Sequence, residues 1–220
     1  TLSLHDALPI SGRFGCDIIN CYTETRGCEM KTGHLKTFGG IFLLMVVLQA
    51  LLFGIQRLIF LFVERTDFSD HMATMAGMAL LTIAYVLIFR LRKVELSVFP
   101  KKFGTVYIIA TAASVILIVI NPANYFGGAE AIWMNVFAGI VTPVFEELIF
   151  RGYIWNKLNT VFSREWKTYV VSTVLFGLWH LGYISSIAFR VESSLANAML
   201  WKVIVGLCFG IVLGFVRLKT

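Results

Sequence analysis

Three ionisable side chains fall within six residues of one apolar stretch: Glu146, Glu147 and Arg151, in the run Pro143-Val144-Phe145-Glu146-Glu147-Leu148-Ile149-Phe150-Arg151-Gly152. At the centre of a bilayer each such group costs roughly 2.5–3.5 kcal/mol on the mildest insertion scale, so three together need a reason. A buried ion pair that locks two helices is one. A carboxylate kept from bulk water so that it can handle protons is the other. The next apolar stretch carries a lone histidine, in Phe176-Gly177-Leu178-Trp179-His180. A desolvated carboxylate is a stronger base than one in water, which suits it to take a proton from a water molecule. A neutral imidazole beside it can orient that water or steady developing charge. The pair suits hydrolysis of an amide, and it also suits a proton relay in a transporter.

Helical spacing separates the roles of the two glutamates. Glu147 and Arg151 are four residues apart, on one face and in the favourable order for an ion pair. Glu146 points about 100° away and is free to face the interior of a bundle. Glu146 and His180 are therefore the catalytic candidates, with Glu147 and Arg151 in support. Pro143 removes a helical hydrogen bond to the Gly139 carbonyl one turn before Glu146, which invites a kink and access for water. Phe176 lies one turn before His180, where its ring can shelter the imidazole.

The elements that position these groups are membrane spans. The chain has 220 residues, of which 58% are hydrophobic and only 15% charged, with a mean hydropathy of +0.79. A soluble domain is nearer half apolar and one quarter charged. The apolar residues fall in long blocks at 38–63, 72–89, 103–120, 131–158, 169–189 and 195–216, which predicts an all-α, polytopic bundle of about six spans embedded in a lipid bilayer. Gln49 and Gln56, seven residues apart, share a face toward the bundle interior. Gly206, Gly210 and Gly214 form a stripe of small residues for close helix contact rather than chemistry.

The net charge of +6 does not point to nucleic acid, because the basic residues sit in short loops between apolar blocks. Arg90, Arg92, Lys93, Lys101 and Lys102 mark one such loop, and Arg151, Lys157, Arg164 and Lys167 another. The positive-inside bias places both loops and both termini in the cytoplasm, in what is expected to be the plasma membrane. Residues 64–70 read as a short acidic loop on the opposite side.

Residues 1–29 share no pattern with the rest. Their opening, Thr1 to Ile10, looks like translated sequencing adapter, and Met30 looks like a natural start. Residues 1–29 are expected to be a non-native or disordered tail, and 30–220 the bundle. Cys16, Cys21, Cys28 and Cys208 show no paired metal spacing.

Other intramembrane hydrolases can be set aside. There is no His-Glu-x-x-His and no Gly-x-Ser-x-Gly. Asp6, Asp17, Asp67 and Asp70 all fall outside the expected spans, which excludes an aspartyl dyad. A catalytic zinc takes three protein ligands, so a zinc ion on Glu146 and His180 stays an open alternative with an incomplete ligand set. Depth supports the pairing of those two residues. Glu147 precedes Leu158 by eleven residues and His180 follows Tyr169 by eleven, which puts both roughly 16 Å below the same end of two antiparallel helices.

On these residues the chain resembles the CPBP family, the CAAX proteases and bacteriocin-processing proteins. Glu146-Glu147-Leu148-Ile149-Phe150-Arg151 is similar to that family's Glu-Glu-x-x-x-Arg motif. Phe176 to His180 is similar to its Phe-x-x-x-His motif, and the glycine stripe ending at Gly214 to its glycine-rich helix. The resemblance covers 131–220 and implies an intramembrane endopeptidase whose first glutamate and histidine activate water, with or without a metal. It implies a peptide or protein substrate. The family's further motif, a second histidine with a polar residue one turn later, has no counterpart before Thr220. The 220 residues are accordingly expected to be a piece of a longer protein, truncated at both ends and with little activity alone. A non-catalytic immunity or scaffold protein of the same fold and a proton-coupled transporter remain the alternative readings.

Overall fold

The computed structural model describes residues 14–93, 96, 104–120, 126–192 and 194–219, with side chains from residue 34 onward except at 106, 114 and 117–119. Residues 1–40 and 41–220 form two compact units. In the first, the backbone is helical from Phe14 onward, well before the start expected at residue 38. The first thirteen residues of the expected tail lie outside the described residues.

The described residues form helices and no strands. We label them α1 (Phe14–Ile59), α2 (Asp67–Leu91), α3 (Thr105–Ile120), α4 (Gly128–Asn159), α5 (Glu165–Arg190) and α6 (Leu195–Lys219). Five are long and apolar enough to cross a membrane, at 25 to 32 residues each, counting His34–Ile59 of α1. The sixth, α3, has 16 residues and lies between residues outside the described set. The expected all-α bundle of about six spans is the architecture found. In lipid only a helix satisfies every backbone polar group within its own segment, so unbroken apolar blocks leave the chain no other option.

Two boundaries around the expected acidic loop differ from the sequence reading. The expected acidic loop 64–70 is shorter, because α2 starts at Asp67. Thr66 caps it: its hydroxyl accepts from Ser69 N–H at 3.1 Å, while Ser69 Oγ accepts from Thr66 N–H at 2.7 Å. Asp67 and Asp70 then occupy the first turn, where a helix N-terminus favours negative charge. The first span correspondingly ends at Ile59, and residues 60–63 form turns. At the start of α4, Gly127 and Gly128 adopt φ values of +140° and +67°, a region that side-chain-bearing residues rarely enter.

The bundle core around the site is aromatic. Phe145 and Phe150 of α4 and Phe176 and Trp179 of α5 are fully buried, with Phe150 packed edge-on against Phe176 at 4.9 Å between centroids. The glycine stripe of α6 lies on α5. A Cβ at Gly210 would sit 3.3 Å from Thr173 Cγ2, and one at Gly214 would sit 2.8 Å from Tyr169 Cδ2.

Candidate active site

α4 is not a uniform α-helix. Wide π-helical turns occupy Phe137–Val141 and Leu148–Ile154, on either side of an α-helical turn Thr142–Glu147. Pro143 accounts for the first: it has no N–H to give, and Thr142 N–H reaches back to the Phe137 carbonyl instead. Such bulges are common where a helix must aim a functional side chain. Glu146 lies at the end of the intervening turn and is 7% exposed.

On α5 the helix tightens into a 3₁₀ turn at His180–Tyr183. His180, 6% exposed, places Nδ1 2.8 Å from the Phe176 carbonyl. A carbonyl can only accept, so Nδ1 carries the proton and Nε2 keeps the lone pair in the neutral ring. The Phe176 ring meets the imidazole edge-on at 5.1 Å. α6 also lies against the ring: a Cβ at Gly206 would sit 2.5 Å from His180 Nδ1 and 2.7 Å from Cε1. The glycine stripe therefore does more than join helices. Its first member makes the slot that the imidazole occupies.

Glu146, Glu147, Pro143, Phe176 and His180 all line one cavity of about 770 Å³, a size that accommodates a peptide side chain or small ligand. Its walls come from α2, α4, α5 and α6, from His71 and Arg190 at one end to Phe209 and Leu213 on α6. Arg151 Nη1 is 3.1 Å from Glu147 Oε1. The guanidinium is 3% exposed and stacks over Phe176 at 4.7 Å. Its Nε and Nη1 find no hydrogen-bond acceptor among the described residues, so the ion pair is close but not aligned.

Sequence reasoning missed Tyr183. Its hydroxyl donates to Glu146 Oε1 at 2.9 Å and accepts from Trp179 Nε1 at 3.1 Å. The available signal was its place one turn beyond His180. Sequence reasoning also missed Asp70, which was assigned to a short acidic loop. Asp70 is wholly buried and takes Arg65 Nη2 at 2.7 Å on one oxygen and Arg190 Nη2 at 3.0 Å on the other.

Residues 128–220 match the model of the Rce1-like family, described as type II CAAX prenyl endopeptidase. This segment, less than half of the chain, is similar to the CAAX protease family. It contains both motifs singled out in the sequence and all of α4, α5 and α6. No curated protein and no solved structure matches the chain. The family points to a membrane-embedded protease, and the helices of the CAAX protease segment suit one.

A zinc ion was the open alternative. Among the described residues no three His, Cys, Asp or Glu side chains come together as a metal site. Glu146 and His180 supply two ligands where a catalytic zinc takes three. The described donor set therefore does not fit the metal.

Proposed function

We propose that the protein is an intramembrane endopeptidase that hydrolyses a peptide bond near a prenylated C-terminal CAAX sequence, the substrate that the family's description names. The observation that carries this reading is that Glu146 and His180 line one largely apolar cavity, while the imidazole spends Nδ1 on the Phe176 carbonyl. Water enters between them. Glu146 takes a proton from the water as its oxygen attacks the scissile carbonyl carbon, and the C–N bond breaks as that proton passes to the leaving amine. His180 Nε2 orients the water by accepting its second hydrogen. The apolar walls exclude bulk water and suit a lipidated segment. Both termini are proposed to be cytoplasmic in the plasma membrane, following the basic loops. Under that orientation Phe209 and Leu213 form the cytoplasmic approach to the cavity.

The test is cleavage of a farnesylated CAAX peptide by the full-length protein in liposomes. Glu146→Gln removes the base without changing its shape, and the rate is expected to fall about 10²–10⁴-fold, the usual contribution of a general base. Cleavage at the wild-type rate by that variant would end the catalytic assignment. A binding or immunity phenotype indifferent to the change would indicate a scaffold, and solute flux without products a transporter.

A further inference from the structure

We infer that Tyr183 is a positioning residue for Glu146, and that Gln49 of α1 holds the turn that carries Tyr183. The inference rests on the hydrolytic reading above and adds two residues to it, one of which lies outside the CAAX protease segment.

The direction of the hydrogen bonds is fixed by chemistry. An indole N–H can only donate, so Trp179 Nε1 must give its proton to the Tyr183 oxygen. The phenol's own proton is then left for Glu146 Oε1, 2.9 Å away. Rotation about the last bond of a glutamate is soft and roughly two-fold. One bond to Oε1 therefore decides which oxygen is occupied and which is presented to the cavity. Trp179 Nε1, Lys202 and Arg151 also act on the carboxylate, and the Tyr183 bond is the short contact that orients Oε1.

The turn itself is braced from α1. Gln49 Nε2 donates to the Trp179 carbonyl at 3.1 Å, across 130 residues of sequence. The backbone of Gly182, in the same turn, rests on the Gln49 amide so closely that a Cβ there would overlap it. One side chain from α1 thus touches both sides of the His180–Tyr183 turn. Displacing it would move Tyr183 and the imidazole together.

The experiment uses the full-length protein in lipid nanodiscs, read in two ways. Infrared difference spectra identify the Glu146 carboxyl band by its loss in Glu146→Gln. Cleavage of the farnesylated CAAX peptide gives kcat and KM. Tyr183→Phe keeps the ring and removes the hydroxyl. It is expected to shift the Glu146 band and to lower kcat about 10²-fold with KM unchanged, as a misplaced catalytic group does. Gln49→Leu should shift the same band by less and lower kcat by less. Tyr169→Phe, whose hydroxyl bonds the Ile211 carbonyl of α6, should do neither. If Tyr183→Phe folds poorly, Gln49→Leu, which keeps the phenol and loosens only its turn, carries the test by the same two readouts.

An unmoved band in Tyr183→Phe overturns the contact whatever the activity. A moved band with wild-type kcat overturns the positioning role. A Gln49→Leu protein identical to wild type in both readouts removes α1 from the account. A wild-type protein that cleaves nothing sinks the hydrolytic reading instead, while the band still decides whether Tyr183 holds Glu146.

Discussion

Two groups of buried charges, Asp70 with its arginines and Glu146 with its neighbours, lie in the same bundle, and they are treated differently. Asp70, with no exposed surface, is saturated. Arg65 gives it two hydrogen bonds, at 2.9 and 2.7 Å, and Arg190 one at 3.0 Å. The arginines are themselves tied down, Arg65 to the Ser185 carbonyl at 3.2 Å and Arg190 to the Ser186 carbonyl at 3.1 Å. His71 adds a nitrogen 2.6 Å from Arg190 Nη1. That network joins the start of α2 to the end of α5. Glu146, by contrast, accepts a hydroxyl bond and forms no ion pair among the described residues, with Lys202 and Arg151 acting on it at longer range, and Arg151 carries donors with no acceptor among those residues. A saturated buried charge holds helices together. An under-satisfied one is costly to keep and is free to exchange a proton.

This contrast can be broken by mutation at either end. The largest expected effect is at Asp70. Removing one partner of a buried ionic network typically costs about 3–5 kcal/mol. Asp70→Ala should therefore sharply lower the midpoint of thermal unfolding in detergent. Glu146→Gln should leave that midpoint unchanged or raise it, because it neutralises a poorly compensated charge. A large loss of stability from Glu146→Gln, or none from Asp70→Ala, would erase the distinction.

A smaller effect sharpens it along the glycine stripe. Alanine at Gly206 or Gly214 overpacks a tight contact, at a typical cost of about 1–3 kcal/mol. The two substitutions should weaken the fold similarly and part company in activity. At Gly206 the new methyl group strikes the His180 ring, whereas at Gly214 it meets Tyr169. Peptide cleavage by the folded fraction should fall for Gly206→Ala and persist for Gly214→Ala. Equal losses of cleavage would return Gly206 to a packing role.

The elements legible from sequence were those whose chemistry clashes with their surroundings. Glu146 and His180 stand out because ionisable residues are rare in apolar blocks, and simple rise per residue brings them level. The residues that escaped depend on departures from ideal helices. Tyr183 reaches Glu146 through a 3₁₀ turn, and a tyrosine in a membrane helix carries no anomaly of its own. Gly206 looked like one of three equivalent glycines until the imidazole was found against it. Asp70 was hidden by a loop boundary four residues off. The Thr66–Ser69 cap that moves the boundary uses serine where glutamate or glutamine is the more familiar partner. The wide turns flanking Glu146 were foreshadowed by Pro143 alone.

The central claim is that Glu146 and His180 act on one water molecule. A double-mutant cycle on peptide cleavage, with Glu146→Gln and His180→Ala alone and together, tests it most directly, since groups that act as a unit are strongly non-additive. The double variant should be no slower than the slower single variant. Rate losses that multiply would show two side chains working independently, and would contradict the account.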